Sequence, residues 1–204
     1  MKKLLIPFFV LVISLNISSQ NGRNGPSLWE EIRANSNLNY DNTKPQIIEA
    51  LKKYDSHQYL INRLSKNGQR YLFYTVSEAL KRDLPVELSL IPFIESQFDP
   101  YAQSSTGASG IWQFIPSTAI ENGLKKNWWY DARRDIVAST EAAYNFLVKL
   151  HQEHDDWLIA IAAYNAGPSR VRKEIRKNKA KGLPTDFWSL NLPKETKAYV
   201  PKIL

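Results

Sequence analysis

Three short passages contain residue types that could do chemistry. The first is Leu90-Ile91-Pro92-Phe93-Ile94-Glu95-Ser96-Gln97-Phe98-Asp99-Pro100. A carboxylate set among Ile and Phe is costly to keep ionised, and its protonated form gains as water is withdrawn. Glu95 could then act as a general acid; the alternative is a Glu that reaches solvent at the end of its helix. The second passage is Gly107-Ala108-Ser109-Gly110-Ile111-Trp112-Gln113-Phe114. Its glycines would let backbone approach a ligand closely, Trp112 offers an apolar face for a sugar ring, and Gln113 is a hydrogen-bonding arm. A plain turn leading into a helix at Pro116-Ser117-Thr118 explains the glycines equally well. The third is Ala162-Ala163-Tyr164-Asn165-Ala166-Gly167-Pro168. Tyr164 could hydrogen-bond a carboxyl group, whereas Asn165 and Gly167 also suit a helix C-terminus.

Hydrolysis of a glycosidic bond ordinarily takes two carboxylates. Glu87 and Glu95 would lie about 12 Å apart along a continuous helix, beyond the roughly 5–9.5 Å of retaining and inverting enzymes. Asp99 would approach Glu95 on a continuing helix, but Pro100 disfavours helical backbone at Asp99 and points to a turn. A catalytic role for Asp99, or for an acid from a distant segment, stays open at this level. His57, His151 and His154 are scattered and form no metal-ligand cluster, so no metal or other cofactor is expected; His151 and His154 read as a solvated helix face. Arg170 to Lys181 is strongly basic, which suits either a solvated helix face or attraction to anionic polymer or peptide carboxylates.

These residues must be positioned by helices. The chain has 204 residues, 43% apolar and 23% charged, with a formal charge of +7 and no cysteine. That composition suits a packed domain with an anionic partner. It excludes a disulfide framework, a Cys-ligated metal, a thiol nucleophile and lipid attachment through cysteine. Lys2 and Lys3 precede an apolar run from Leu4 to Leu15, too short for the about 20 residues that span a bilayer. Residues 1–19 therefore read as a signal peptide and 20–27 as a polar linker. Pro45 opens a periodic stretch through Ile47, Ile48 and Leu51. Apolar residues recur from Ser56 to Leu80 at Leu60, Ile61, Leu64, Tyr71, Leu72, Val76 and Leu80, with a break at Gly68. Residues 86–96 read as a buried helix bent or shortened at Pro92, 135–154 as a longer amphipathic helix, and 157–166 as a buried one ending at Gly167-Pro168. The expected class is all-α, with at most a short β-hairpin, divided into an N-terminal helical region (28–80) and a catalytic domain (81–204). The sequence stops within an amphipathic segment, as a fragment would.

The three passages in this order, Glu95-Ser96, then Gly110-Ile111-Trp112-Gln113, then Ala163-Tyr164-Asn165-Ala166-Gly167, resemble the lytic transglycosylases of the soluble-transglycosylase (SLT) type, and within them the D-type subgroup. Trp29-Glu30-Glu31-Ile32-Arg33, Trp128-Trp129-Tyr130-Asp131 with Arg133-Arg134-Asp135, Pro184-Thr185-Asp186-Phe187-Trp188 and Glu195-Thr196-Lys197-Ala198-Tyr199-Val200-Pro201 extend the likeness from about residue 28 to the end. The resemblance implies a goose-lysozyme-like helical fold. It also implies cleavage of the β-1,4 bond between N-acetylmuramic acid and N-acetylglucosamine of peptidoglycan, leaving a 1,6-anhydro end. By position, Glu95 would be the single acid/base, with Ser96, Ser104, Trp112, Gln113, Tyr164 and Asn165 around the substrate. Trp112 departs from the methionine of the broader set. The lipid-bearing cysteine and LysM modules of many D-type enzymes are also missing from this sequence. The expected partner is the glycan strand of peptidoglycan, with association to the wall or membrane surface and no nucleic acid; the expected location is the periplasm. A hydrolytic muramidase of the same fold is the nearest rival. A non-catalytic wall-binding module, in which Trp112, Trp128 and Trp129 hold glycan, is the rival of a different class.

Overall fold

The structure is a computed structural model that describes residues 27–55 and 68–204; the leader, most of the linker, His57, Leu60, Ile61 and Leu64 fall outside the described residues. Its helices are α1 (Leu28–Asn35), α2 (Pro45–Asp55), α3 (Gln69–Lys81), α4 (Ile91–Ser96), α5 (Pro116–Glu121), α6 (Ile136–His154), α7 (Trp157–Ala166), α8 (Pro168–Ala180) and α9 (Lys194–Tyr199). Short 3-10 turns cover Val86–Leu90, Phe187–Ser189 and Val200–Lys202. Among the described residues, β structure is confined to isolated bridges: Gln103 with Ser109, Ser109 with Phe114, and Lys126 with Asp131. The all-α expectation holds.

The helix starts follow from side chains that satisfy the unpaired N–H groups of a first turn. Ser27 and Glu30 form a reciprocal capping box on α1. Asp135 accepts from Val137 and Ala138 at the start of α6, and Asp156 accepts from Leu158 and Ile159 at the start of α7. Helix α7 is the central post: Leu158 to Ala163 are all buried, and it packs against α6, α8 and α9. A helix apolar all round is stable only when enclosed in this way. Around it, Trp112, Tyr144, Phe98, Leu88, Ile91, Ile111 and Leu147 form, with its own Ile161, the fully buried centre.

Two sequence readings change. Residues 86–96 are two elements, because Pro92 occupies the first turn of α4, where a missing N–H costs nothing. Pro92 therefore opens the helix that carries Glu95. Glu87, on the preceding 3-10 turn, is buried, and its Oε1 accepts from the N–H groups of Asn37 and Leu38 at 3.0 and 3.1 Å. It fastens the N-terminal region to the core. His151 and His154 are not a solvated face: His151 stacks on Trp157 with ring centroids 4.1 Å apart. The His154 side chain is 8% exposed, and burial lowers its pKa.

The basic stretch is α8. Val171, Glu174 and Asn178 face inward at helical spacing. Asn178 donates to the carbonyls of Pro184 and Ser189, while Arg170, Lys173, Arg176, Lys177 and Lys179 are exposed.

Candidate active site

Glu95 lies one residue before the end of α4. Beyond Ser96, Gln97 and Phe98 both take positive φ, 54° and 59°. Their N–H groups donate back to the carbonyls of Phe93 and Pro92 at 3.0 and 3.2 Å. Consecutive left-handed non-glycine residues are strained, and the turn is held by Phe98, whose ring is 1% exposed. Asp99 leaves the helix as expected: it is exposed and its Oδ1 accepts from the Tyr101 N–H.

The Tyr199 hydroxyl donates to Glu95 Oε1 at 2.5 Å. Burial pushes the Glu95 carboxyl up to about 7; the Tyr199 bond opposes the rise and the charge of Glu195 adds to it. A carboxyl poised there is populated in both forms near neutrality, so it can give a proton in one step and take one in the next. Burial, with the Glu95 charge close by, holds the phenols of Tyr199 and Tyr164 well above their ordinary range. Both remain neutral donors.

Tyr164 borders Glu95 without bonding it. Its hydroxyl donates to the backbone carbonyl of Trp112 at 2.7 Å, and its ring meets Phe114 and Phe146. The role foreseen for Tyr164, a donor to a carboxyl group, is filled by Tyr199 at Glu95. Trp112 is also placed differently from a sugar platform. Its side chain is fully buried, with Nε1 donating to Thr140 Oγ1 at 2.9 Å and the indole edge-on to Tyr144, so no face is left for a ligand.

The glycine loop 107–114 is braced from several sides. Ser96 Oγ donates to the Ile111 carbonyl at 3.0 Å, tying the loop to the end of α4. Gly110 has φ of 83°, and a Cβ there would stand 1.7 Å from the Arg133 carbonyl oxygen. The close approach is thus to the protein's own backbone. The Arg133 side chain, buried and held by Asp131 at 2.6 Å, donates to the carbonyls of Gly107 and Phe114. Gln113 takes φ of 49°, and its Nε2 donates to the carbonyls of Gly110 and Ala102 at 2.8 and 3.2 Å. Ser104 Oγ accepts from the Ala108 N–H and pairs with Thr106 Oγ1. Asn165 Oδ1 accepts from Thr196 Oγ1 at 2.8 Å, which locks the end of α7 to α9.

The structure therefore gathers Glu95, Tyr164 and Tyr199, with Ser96, Trp112, Gln113 and Asn165 bracing the segments that hold them. Tyr199 was missed because it lies 104 residues from Glu95; its position in the Glu195–Pro201 segment was the available signal. Among the described residues, no cluster of His, Cys, Asp and Glu could hold a metal ion.

A family profile described as the transglycosylase SLT domain matches residues 75–186. Membrane-bound lytic murein transglycosylase D of Escherichia coli (strain K12) is 49% identical over 160 residues, which cover 78% of this chain and 35% of that protein. A putative tributyltin chloride resistance protein of Alteromonas sp. (strain M-1) is 45% identical over 124 residues, 60% of each chain. Among solved structures, an inactive mutant of the lytic transglycosylase Slt of Pseudomonas aeruginosa gives a TM-score of 0.49 at 30% identity, covering 63% of this chain and 22% of that one. The chain spans about a third of the length of the D-type relative. By the extent of the profile match, this chain belongs to the transglycosylase SLT domain family.

Proposed function

We propose that the protein is a peptidoglycan lytic transglycosylase with Glu95 as its single general acid/base. The observation that carries this reading is the half-buried Glu95 carboxyl, held by Tyr199 and raised by desolvation to about 7. Protonated Glu95 gives its proton to the glycosidic oxygen as the bond from that oxygen to C1 of N-acetylmuramic acid breaks. The leaving N-acetylglucosamine departs with a free 4-hydroxyl. The muramic 6-hydroxyl then closes onto C1, and its proton returns to the Glu95 carboxylate. The sum is an intramolecular exchange in which water is neither added nor released. The nucleophile is tethered to the reacting ring, which gives it a large effective concentration. The substrate's acetamido group assists at the positive anomeric carbon. Ser104 and Gln113 are proposed to border the sugar, and Tyr199 to orient the carboxyl.

One observation favours the hydrolytic rival. Glu195 opens α9 one turn before Tyr199, is exposed, and its charge acts on Glu95. It is the carboxylate whose charge reaches Glu95, and so the first candidate base for a water-activating mechanism. The leader read in residues 1–19 supports export to the cell envelope, with the periplasm as the proposed location. Among the described residues, no helix is long and apolar enough to cross a membrane.

The test is Glu95→Gln, which keeps shape and removes the transferable proton. The variant should still sediment with purified peptidoglycan sacculi and release no soluble fragments. Release at the wild-type rate would remove Glu95 from the mechanism, and a wild-type protein that binds without releasing anything would support the wall-binding module.

A further inference from the structure

Trp128 and Trp129 are 87% and 90% exposed, the most solvent-open of the large apolar side chains described. Two adjacent indoles in water form a patch of a kind that marks interaction sites. The turn that carries them is built. Asn127 Oδ1 accepts from the N–H groups of Trp129 and Tyr130, both at 2.8 Å. The Asn127 N–H donates to the Tyr130 carbonyl at 2.8 Å, and the Ala132 N–H to the Lys125 carbonyl at 2.9 Å. The rings stand edge to face, 6.4 Å between centroids and 87° between planes, a favoured aromatic geometry that presents perpendicular faces. These bonds fix the backbone of the turn within the chain itself, and a contact held in place in advance costs less to bind.

The same turn is wired to the Glu95 site. Asp131 holds Arg133, Arg133 donates into the 107–114 loop, Gly110 rests on the Arg133 backbone, and Ser96, next to Glu95, donates to Ile111. The aromatic tip and the catalytic carboxyl therefore belong to one hydrogen-bonded unit in fixed register. A polymer that must lie in a set position across Glu95 benefits from such a second contact; attachment to a membrane needs no such register. The charge agrees. Of the four cations in 125–135, Lys126 faces Asp131 at 3.8 Å and Arg133 is buried on the same carboxylate. Lys125 and Arg134 are left without a carboxylate partner, short of the basic cluster that holds a segment on anionic lipid.

We propose that the Trp128–Trp129 turn is a second glycan-binding platform, which stacks on sugar rings of the strand outside the cleavage site. The inference rests on the proposed peptidoglycan substrate. Its test uses the Glu95→Gln protein, so that nothing is cleaved, with and without Trp128→Ala/Trp129→Ala. The probes are purified sacculi and phosphatidylglycerol vesicles, read by sedimentation. The double substitution should weaken sacculus binding by about tenfold or more, as for a central Trp contact. Trp128→Phe/Trp129→Phe should retain most of the binding, since aromatic faces remain. Unchanged sacculus binding overturns the proposal, as does a loss confined to vesicles, which would make the turn a membrane contact. Sedimentation reads binding whatever the role of Glu95, so its failure leaves the catalytic proposal standing, and a failure of Glu95 leaves this result interpretable.

Discussion

Replacing Tyr199 by Phe removes the one side-chain hydrogen bond that opposes the elevation of the Glu95 pKa. A hydrogen bond to a charged group is worth about 1.5–3 kcal/mol. At 1.36 kcal/mol per pKa unit, its loss corresponds to roughly one to two units. The direction is upward, because the bond stabilises the carboxylate over the carboxylic acid; from about 7, Glu95 should move to roughly 8–9. In the proposed mechanism the acid form starts the reaction, so the decline of activity on the alkaline side should move to higher pH by the same interval, even as the loss of orientation lowers the maximum. Two measurements read this: the pH profile of kcat/KM on soluble glycan strands, and the carboxyl carbon resonance of labelled Glu95 across pH 5–10. A decline at unchanged or lower pH in Tyr199→Phe would refute the assignment of Tyr199 as the positioning donor.

Glu95→Gln should stabilise the fold in alkali. The folded pKa is raised above the unfolded value, so the contribution of Glu95 is present in full below about 4.5 and is lost as pH rises through about 7. Above that, the variant should exceed the wild type by up to about 3 kcal/mol in denaturant unfolding, the difference fading towards pH 4; a wild type that gains on the variant between pH 5 and 8 would contradict this. Gly110→Ala should cost more than about 2 kcal/mol because its Cβ meets backbone, whereas Gly123→Ala, with positive φ and nothing within 4 Å, should cost about 1–2 kcal/mol from conformation alone. Equal unfolding midpoints for the two would refute the steric account. Tyr164→Phe should lose about 1 kcal/mol of stability with the bond to Trp112, and should move the Glu95 titration less than Tyr199→Phe does.

The elements with local signals were legible in sequence. Helices α6 and α7 emerged within one residue of their observed bounds because their apolar spacing is encoded within each segment, as are the caps Asp135 and Asp156 that the structure shows. Glu95 was legible for a similar reason, since its Ile and Phe neighbours already announce a carboxyl short of water. What failed depended on distant chain. Trp112 read as a platform because its spacing does not reveal Thr140 and Tyr144, which enclose it. Gly110 read as an approach to ligand because nothing local reports that Arg133 backbone lies there. Tyr164 and Tyr199 are both phenols shielded from solvent near one carboxylate, and the fold decides which hydroxyl points to it. The histidines read as solvated because the return of α7 against α6 is a tertiary event.

The central claim is that the muramic 6-hydroxyl, and not water, attacks the sugar that Glu95 activates. Mass spectrometry of the fragments released from purified peptidoglycan tests it most directly. A transglycosylase yields disaccharide-peptides lighter by one water than those from lysozyme digestion of the same material, unchanged by borohydride because they carry no reducing end. Fragments of the lysozyme mass that borohydride reduces would contradict the account and assign the base of a hydrolytic reaction, with Glu195 as the first residue to substitute.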